Sequence, residues 1–206
     1  MAQITRGVRS ILSMPAAYST FQKILGGGRV HRVLCQEYIH AQAGDILVDV
    51  GCGPGEIIKH VDPLVQYIGF DISQRYINDA KVMYGGRGTF YCADITLVPP
   101  DAIPPCKVAI AIGLLHHLDD DGAKRLIASL HDRLAEDGRL ITLDPAYWPD
   151  QSRTARFIIS KDRGQNVRSG EEYQALARTC FDNVKLSRRD DLLNIPYTHA
   201  ILECRK

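Results

Sequence analysis

"VDVGCGPGEI", residues 48–57, sets three glycines within five positions directly behind an apolar run. Tight turns rarely need Gly51, Gly53 and Gly55 together, and Asp49 stands just ahead of them. Bare backbone at the end of an apolar strand lets a nucleotide come close to the main chain. The stretch therefore predicts the first strand and ligand loop of an open α/β sheet.

Outward from this loop, short apolar runs alternate with helix-like segments. "DILVDV" (45–50), "YIGFDI" (67–72), "GTFYCADI" (88–95), "KVAIAIGLL" (107–115) and "GRLITLDP" (138–145) read as five strands. Few of them alternate with polar residues, as expected when both faces of a sheet are covered. Between them, 55–61, 73–84 and 121–135 read as helical, with Ser73 as an N-cap. Strand–helix alternation means right-handed βαβ units and a doubly wound, mostly parallel sheet. Upstream, 16–25 and 29–39 read as helices separated by "GGG" at 26–28. After 145 the rhythm breaks: 146–169 is polar and rich in arginine, "GEEYQALARTCF" is a helix, and "NVKLSRRD" and "THAILECRK" close the chain as an antiparallel pair. No linker divides the chain. One domain is expected, with a helical lid over 1–43, a ligand-binding core over 44–145, and a substrate-side insert with closing strands over 146–206.

The bulk properties narrow the partners. The 206 residues are 45% hydrophobic and 24% charged, ordinary for a soluble globular domain. With 25 basic against 24 acidic residues the net charge is +1, which offers no electrostatic footprint for nucleic acid. Six cysteines are scattered without a CxxC pair, as in a reducing cytoplasm, and no zinc or other metal site is implied. No run approaches the ~20 apolar residues of a membrane span. Pro15 interrupts the short apolar patch near the N-terminus, so that region reads as folded sequence and not as a targeting peptide.

The loop spacing selects the ligand. A dinucleotide site normally reads GxGxxG, but here GxGxG is followed by Glu56, with Pro54 inside. A carboxylate beside a pyrophosphate is unfavourable, whereas it is tolerable beside a sulfonium cation. Asp71 ends the second strand, where a carboxylate accepts hydrogen bonds from both ribose hydroxyls and repels a 2′-phosphate. Asp94 ends the third strand and can meet an adenine amino group while Ile95 packs on the ring.

"VDVGCGPG", "FDIS", "CADI", "AIGLLHHLDD" and "LAEDGRLITLDP" resemble, in order and spacing, the motifs of class I S-adenosylmethionine-dependent methyltransferases. The resemblance covers about residues 44–145, together with the C-terminal helix and two strands. It implies a Rossmann-like, seven-stranded sheet in the order 3-2-1-4-5-7-6, the last strand antiparallel, and S-adenosyl-L-methionine as cofactor. Carried over by position, Asp49, Gly51, Gly53 and Gly55 would hold the methionine end, with Cys52 inside the loop. Asp71 would hold the ribose with Ile72 beside it, Asp94 and Ile95 the adenine, and Leu114 would lie near the sulfonium.

Methyl transfer requires a nucleophile held about 3–3.5 Å from the activated carbon, with water kept away. An oxygen or nitrogen acceptor must also lose a proton, and His116 or His117, just past the fourth strand, can take it. His116 is favoured because it directly follows Leu114 and Leu115. In the insert, Tyr147 and Trp148 suggest an aromatic wall. Arg153, Arg156, Arg163 and Arg168 suggest a partner for an anionic acceptor, with Arg163 singled out by the turn-like "RGQN" that it begins. Tyr197 and His199 start the last strand at the same mouth. Tyr18 and Phe21 are the expected lid contacts, and the acceptor is expected to be a small molecule: a sugar, lipid headgroup or secondary metabolite. Two other uses of the same motifs stay open: transfer or cyclisation of the aminobutyryl or aminopropyl arm, releasing methylthioadenosine, and a non-catalytic module that binds S-adenosylmethionine.

Overall fold

The apolar runs pair into a single sheet, seen in a computed structural model that describes residues 27–162 and 164–206. Its strands are β1 (Ile46–Val50), β2 (Gln66–Asp71), β3 (Gly88–Cys92), β4 (Cys106–Ile112), β5 (Leu134–Tyr147), β6 (Arg168–Ser169), β7 (Asn183–Arg189) and β8 (His199–Arg205). The order is β3-β2-β1-β4-β5-β8-β7, with β6 paired to the end of β5 off this path. β8 runs antiparallel to both β5 and β7, while β1 to β5 are mutually parallel. Without β6 this is the expected order. The eighth strand is a two-residue addition, Ala146↔Arg168 and Tyr147↔Ser169, too short for any sequence period to show.

Period two along each strand separates two cores. Val48, Val50, Ala109, Leu140, Ala200 and Leu202 face one layer, where helices α3 (Asp120–Arg133) and α5 (Gly170–Ala177) bury Leu126, Ile127, Leu130, Tyr173 and Leu176. Leu47, Tyr67, Val108, Ile110, Ile141 and Ile201 face the other, covered by α1 (Gly27–Leu34) and α2 (Gln74–Tyr84) through Val30, Leu34, Ile77 and Ala80. Covering both faces is what removed the alternation from the sequence.

Caps set the helix starts. The Ser73 hydroxyl accepts from Tyr76 N, as the sequence predicts, and the Asp119 carboxylate accepts from Gly122 N ahead of α3. Ser169 and Glu172 form a reciprocal capping box that starts α5, which ends at Ala177 and not near 181. Three segments differ from expectation. Residues 29–39 are α-helical only to Leu34, then widen into a π-turn, Cys35–Ile39, closed by His40 at φ 44°. Arg139 holds that end by donating to the carbonyls of Ile39 and His40. The segment at 55–61 is a 3-10 turn, Glu56–His60. The polar stretch 146–169 contains a short helix, α4 (Arg153–Ile159), capped by Ser152; it buries only Ala155 and Ile159, too few apolar positions to read as a period. The helix expected at 16–25 and the lid contacts Tyr18 and Phe21 lie outside the described residues.

Candidate active site

The glycine loop leaves β1 and is fastened to β2. Gly51 N and Cys52 N both donate to Phe70 O, at 2.8 and 3.0 Å. Gly69 makes room for this: a Cβ there would lie 2.9 Å from Cys52 Sγ. Gly51, Gly53 and Gly55 all have positive φ (75, 53 and 75°), the left-handed region that disfavours side chains. Beyond that they differ. A Cβ on Gly51 would touch Leu114 at 3.3 Å and one on Gly55 would strike Phe90 at 2.9 Å, so both are pressed by the interior. A Cβ on Gly53 would meet nothing within 4 Å. Gly53 is thus the bare backbone that faces open space.

Asp71 stands beside it. Its Oδ2 accepts from Gly53 N at 2.9 Å and its Oδ1 from Ser73 N at 2.7 Å, so the carboxylate is aimed by the loop and by the cap of α2. Ile72, next to it, is exposed. Asp94 caps a 3-10 turn, accepting from Thr96 N and Oγ1, and is exposed, whereas Ile95 is 1% exposed and packed in the core. Ile95 therefore belongs to the hydrophobic core and is not open to a ligand ring in this structure. Asp49 is also buried, taking a hydrogen bond from the Tyr67 hydroxyl. Burial, aided by the Asp71 charge and opposed by the Tyr67 bond, pushes the Asp49 carboxyl up to about 7. Tyr67 was not legible as a site residue; it is an apolar-run aromatic until its hydroxyl is seen on Asp49. Leu114 reaches the loop at Gly51, joining the ends of β1 and β4.

At the end of β4, the 3-10 turn Leu115–His117 carries the two histidines. His116 is 5% exposed and lies between two carboxylates. Its Nδ1 is 2.7 Å from Asp144 Oδ1, and its backbone N–H donates to the same oxygen at 3.1 Å. Its Nε2 is 3.3 Å from Asp162 Oδ1. Asp162 in turn accepts from Gly164 N (2.9 Å) and the Tyr197 hydroxyl (2.7 Å). Burial alone would lower His116, but the two carboxylates outweigh it and push the imidazole up to about 9. Burial raises Asp162 too, yet His116 and the two donors hold it below the usual carboxylate range. Asp144, wholly buried, is pushed up by that burial and brought part of the way back by His116; its Oδ2 is buried with no partner. His117 lies against His116, ring centroids 4.1 Å apart. Burial and then the His116 charge hold His199 down at about 4, and its buried Nδ1 has no partner among the described residues.

Comparisons with known proteins bear on the core of the chain and on its fold. Residues 47–138 match the family described as "Methyltransferase domain". That match spans the glycine loop, Asp71, Asp94 and both histidines. Over those residues the chain is similar to a methyltransferase domain, and its sheet has the fold of the class I S-adenosylmethionine-dependent methyltransferases. No curated protein matches its sequence. Among solved structures, the pyocyanin biosynthetic protein PhzM superposes with a TM-score of 0.76 at 18% identity, covering 98% of this chain and 63% of that one. Human N-acetylserotonin methyltransferase, solved in complex with S-adenosylmethionine, gives 0.71 at 16%, covering 98% and 57%. A TehB-like methyltransferase from Corynebacterium glutamicum gives 0.65 at 15%, covering 94% and 99%. The chain thus spans under two thirds of the first two and nearly all of the third.

Around the methyltransferase core, the insert residues divide. Tyr147 lies at the end of β5 with the Arg156 guanidinium 5.0 Å from its ring centre. Trp148 is not an open wall: it wedges against Gly170, where a Cβ would lie 2.6 Å from its ring, and Arg188 covers it. Arg168 is not an anion receptor, because its guanidinium is buried on protein oxygens. Arg163 lies outside the described residues. Tyr197 and His199 are both buried: the Tyr197 hydroxyl donates to Asp162, and the His199 ring lies 5.0 Å from the Tyr197 ring. Asp144 and Asp162 were missed by sequence reasoning. The first stands in "LDP" at the end of β5, one strand from the histidine pair, a signal that was present; the second sits in a polar segment with no signal. Among the described residues no cluster of His, Cys, Asp or Glu fits a metal ion, and no helix is long and apolar enough to cross a membrane.

Proposed function

We propose that this methyltransferase transfers a methyl group to an oxygen or nitrogen of a small-molecule acceptor, with His116 as the group that takes the acceptor's proton. The cofactor fits the residues present. Gly53 offers bare backbone to open space, Asp71 offers carboxylate oxygens that can accept from ribose hydroxyls, and the loop carries Glu56 but no cation that would answer a pyrophosphate. Ile72 and Asp94 are exposed next to it and would serve the adenine end; Asp49, Cys52 and Ile95 would act from beneath. Bound there, S-adenosylmethionine supplies an electrophilic methyl on a sulfonium.

The observation that carries the assignment to His116 is its unequal grip. Asp144 holds Nδ1 and the backbone N–H tightly, which fixes the ring; Asp162 meets Nε2 at 3.3 Å, the looser contact. An acceptor hydroxyl or amine would take the place of Asp162 at Nε2. With one of its two carboxylates withdrawn, the ring loses much of its reason to stay charged and gives its extra proton to solvent. Nε2 then receives the acceptor's proton as the acceptor attacks, and Asp144 balances the imidazolium that forms. Tyr197 keeps Asp162 in register when it withdraws, and Tyr147 with the Arg156 guanidinium on its ring would suit an acceptor with an anionic group. Six unpaired thiols fit a reducing cytoplasm.

The test is His116→Asn and His117→Asn, each given S-adenosylmethionine and a metabolite extract. His116→Asn is expected to lower S-adenosylhomocysteine formation at least 100-fold with cofactor affinity kept, and His117→Asn to lower it much less. Undiminished turnover in His116→Asn would remove the assignment.

A further inference from the structure

A buried arginine outside the proposed chemistry ties all its parts together. Arg168 is 8% exposed and spends its donors entirely on the protein. Nη1 donates to Leu115 O (3.1 Å) and Asn166 O (3.0 Å), and Nη2 to Leu118 O (2.8 Å) and Asp120 Oδ1 (2.7 Å); Nε adds a second bond to the same Asp120 oxygen (2.9 Å). The carbonyls of Leu115 and Leu118 flank the turn that carries His116, so the guanidinium spans that turn from end to end.

Its backbone reaches the other two sides. As part of β6, Arg168 pairs with Ala146, two residues along β5 from Asp144. Tyr173 supports this joint: its hydroxyl donates to Pro145 O at 3.2 Å and accepts from Arg168 N, and its ring lies under the guanidinium at 5.6 Å. Upstream, the Asn166 carbonyl that Arg168 holds belongs to the residue whose N–H donates to His116 O at 3.0 Å. The same stretch brings Gly164 so close that a Cβ there would lie 2.0 Å from the imidazole carbon Cδ2. The strand of Asp144, the turn of His116 and the approach of Asp162 thus meet at one residue, the first through its backbone and the other two through its guanidinium.

We propose that Arg168 is the positioning residue that holds His116 between Asp144 and Asp162, by fixing the 115–118 turn to the end of β5. The assignment of a catalytic part to this array rests on the function proposed above; the positioning itself does not. Lysine cannot replace it. A single ammonium cannot span the carbonyls of Leu115 and Leu118 while holding Asp120 through two nitrogens. Arg168→Lys keeps the charge and loses the geometry, which separates the two.

The test reads His116 directly, without any acceptor. Nitrogen-15 NMR of the whole chain, with His116 assigned by the loss of its signals in His116→Asn, follows its ring protons and its titration. The groups facing His116 are Asp144, Asp162, Tyr197, His117 and His199, and Arg168→Lys alters none of their charges. Wild type is expected to show slowly exchanging, downfield ring N–H protons and a midpoint well above the ordinary value. In Arg168→Lys those protons should exchange rapidly and the midpoint should fall by a unit or more, with the melting transition still cooperative. With S-adenosylmethionine and a metabolite extract, turnover should fall at least tenfold and cofactor affinity should hold. Where Arg168→Lys does not fold, Asp120→Ala, which removes the exposed anchor of the guanidinium, should give a smaller shift in the same direction. Unchanged ring protons and midpoint in a folded variant overturn the proposal. Absence of product from wild type counts against the proposed function and leaves this test intact.

Discussion

At the scale of single residues, the proposed chemistry turns on how charge is arranged around a few buried atoms. His116 is held charged by two carboxylates against a burial penalty, and removing the looser one should show which carboxylate controls it. Asp162→Asn is expected to lower the His116 midpoint from about 9 towards its ordinary 6.5, read by NMR, with Asp144 still holding Nδ1. A midpoint that stays near 9 would mean that Asp144 alone sets the charge. Residues that announce a role in sequence are those whose type is unusual for their local setting. Asp71, a carboxylate ending an apolar strand, and the histidine pair behind β4 were legible for that reason. Arg168 was not: an arginine in a polar segment reads as solvent-facing, and only the placement of Leu115, Leu118 and Asp120 around it shows that it is internal. Trp148 misled in the opposite direction, because an aromatic beside a strand end looks the same in sequence whether its ring lines a mouth or wedges against Gly170.

At the scale of elements, the glycine loop separates packing from ligand contact. Gly55→Ala places a methyl against the buried Phe90 ring at a positive φ, and should cost roughly 2 kcal/mol or more, read as a lower denaturation midpoint. Gly53→Ala meets open space, so its stability loss should be about 1 kcal/mol, whereas its affinity for S-adenosylmethionine should fall at least tenfold by calorimetry. Equal affinity losses in the two would show that Gly53 does not face the cofactor. Ser169→Ala removes one half of the box that starts α5 and should cost about 1 kcal/mol, without altering cofactor affinity. Strand and helix identities were legible wherever an apolar period ran for five residues or more. The π-turn at Cys35–Ile39, the 3-10 turn at Glu56–His60 and the two-residue β6 were not: tertiary partners set the first and third, Arg139 and the end of β5, and the second starts from Gly55 in the left-handed region.

At the scale of the whole molecule, the sheet order follows from the alternation of elements, and its C-terminal edge gathers the loops after β1, β2, β4 and β5 into one site. The buried titrating groups couple that site to stability. His116 has a folded value raised above its unfolded one, so its contribution is complete below about 6.5 and is lost as pH rises through about 9. Urea unfolding midpoints should therefore decline across that window in wild type, and the decline should be absent from His116→Asn. His199, depressed to about 4, works the other way: its neutral form is favoured in the fold, and stability is lost as pH falls from 6.5 towards 4. His199→Asn should flatten that lower limb relative to wild type.

The proposed reaction moves the methyl group and not another part of the cofactor. Mass-spectrometric nucleoside analysis after incubation with S-adenosylmethionine, with and without a metabolite extract, tests it most directly. Methyl transfer predicts S-adenosylhomocysteine that appears only when the extract is present, and fractionation then leads to the acceptor. Methylthioadenosine formed from the cofactor alone would contradict it, because the three-carbon arm, not the methyl, would be the group that reacts.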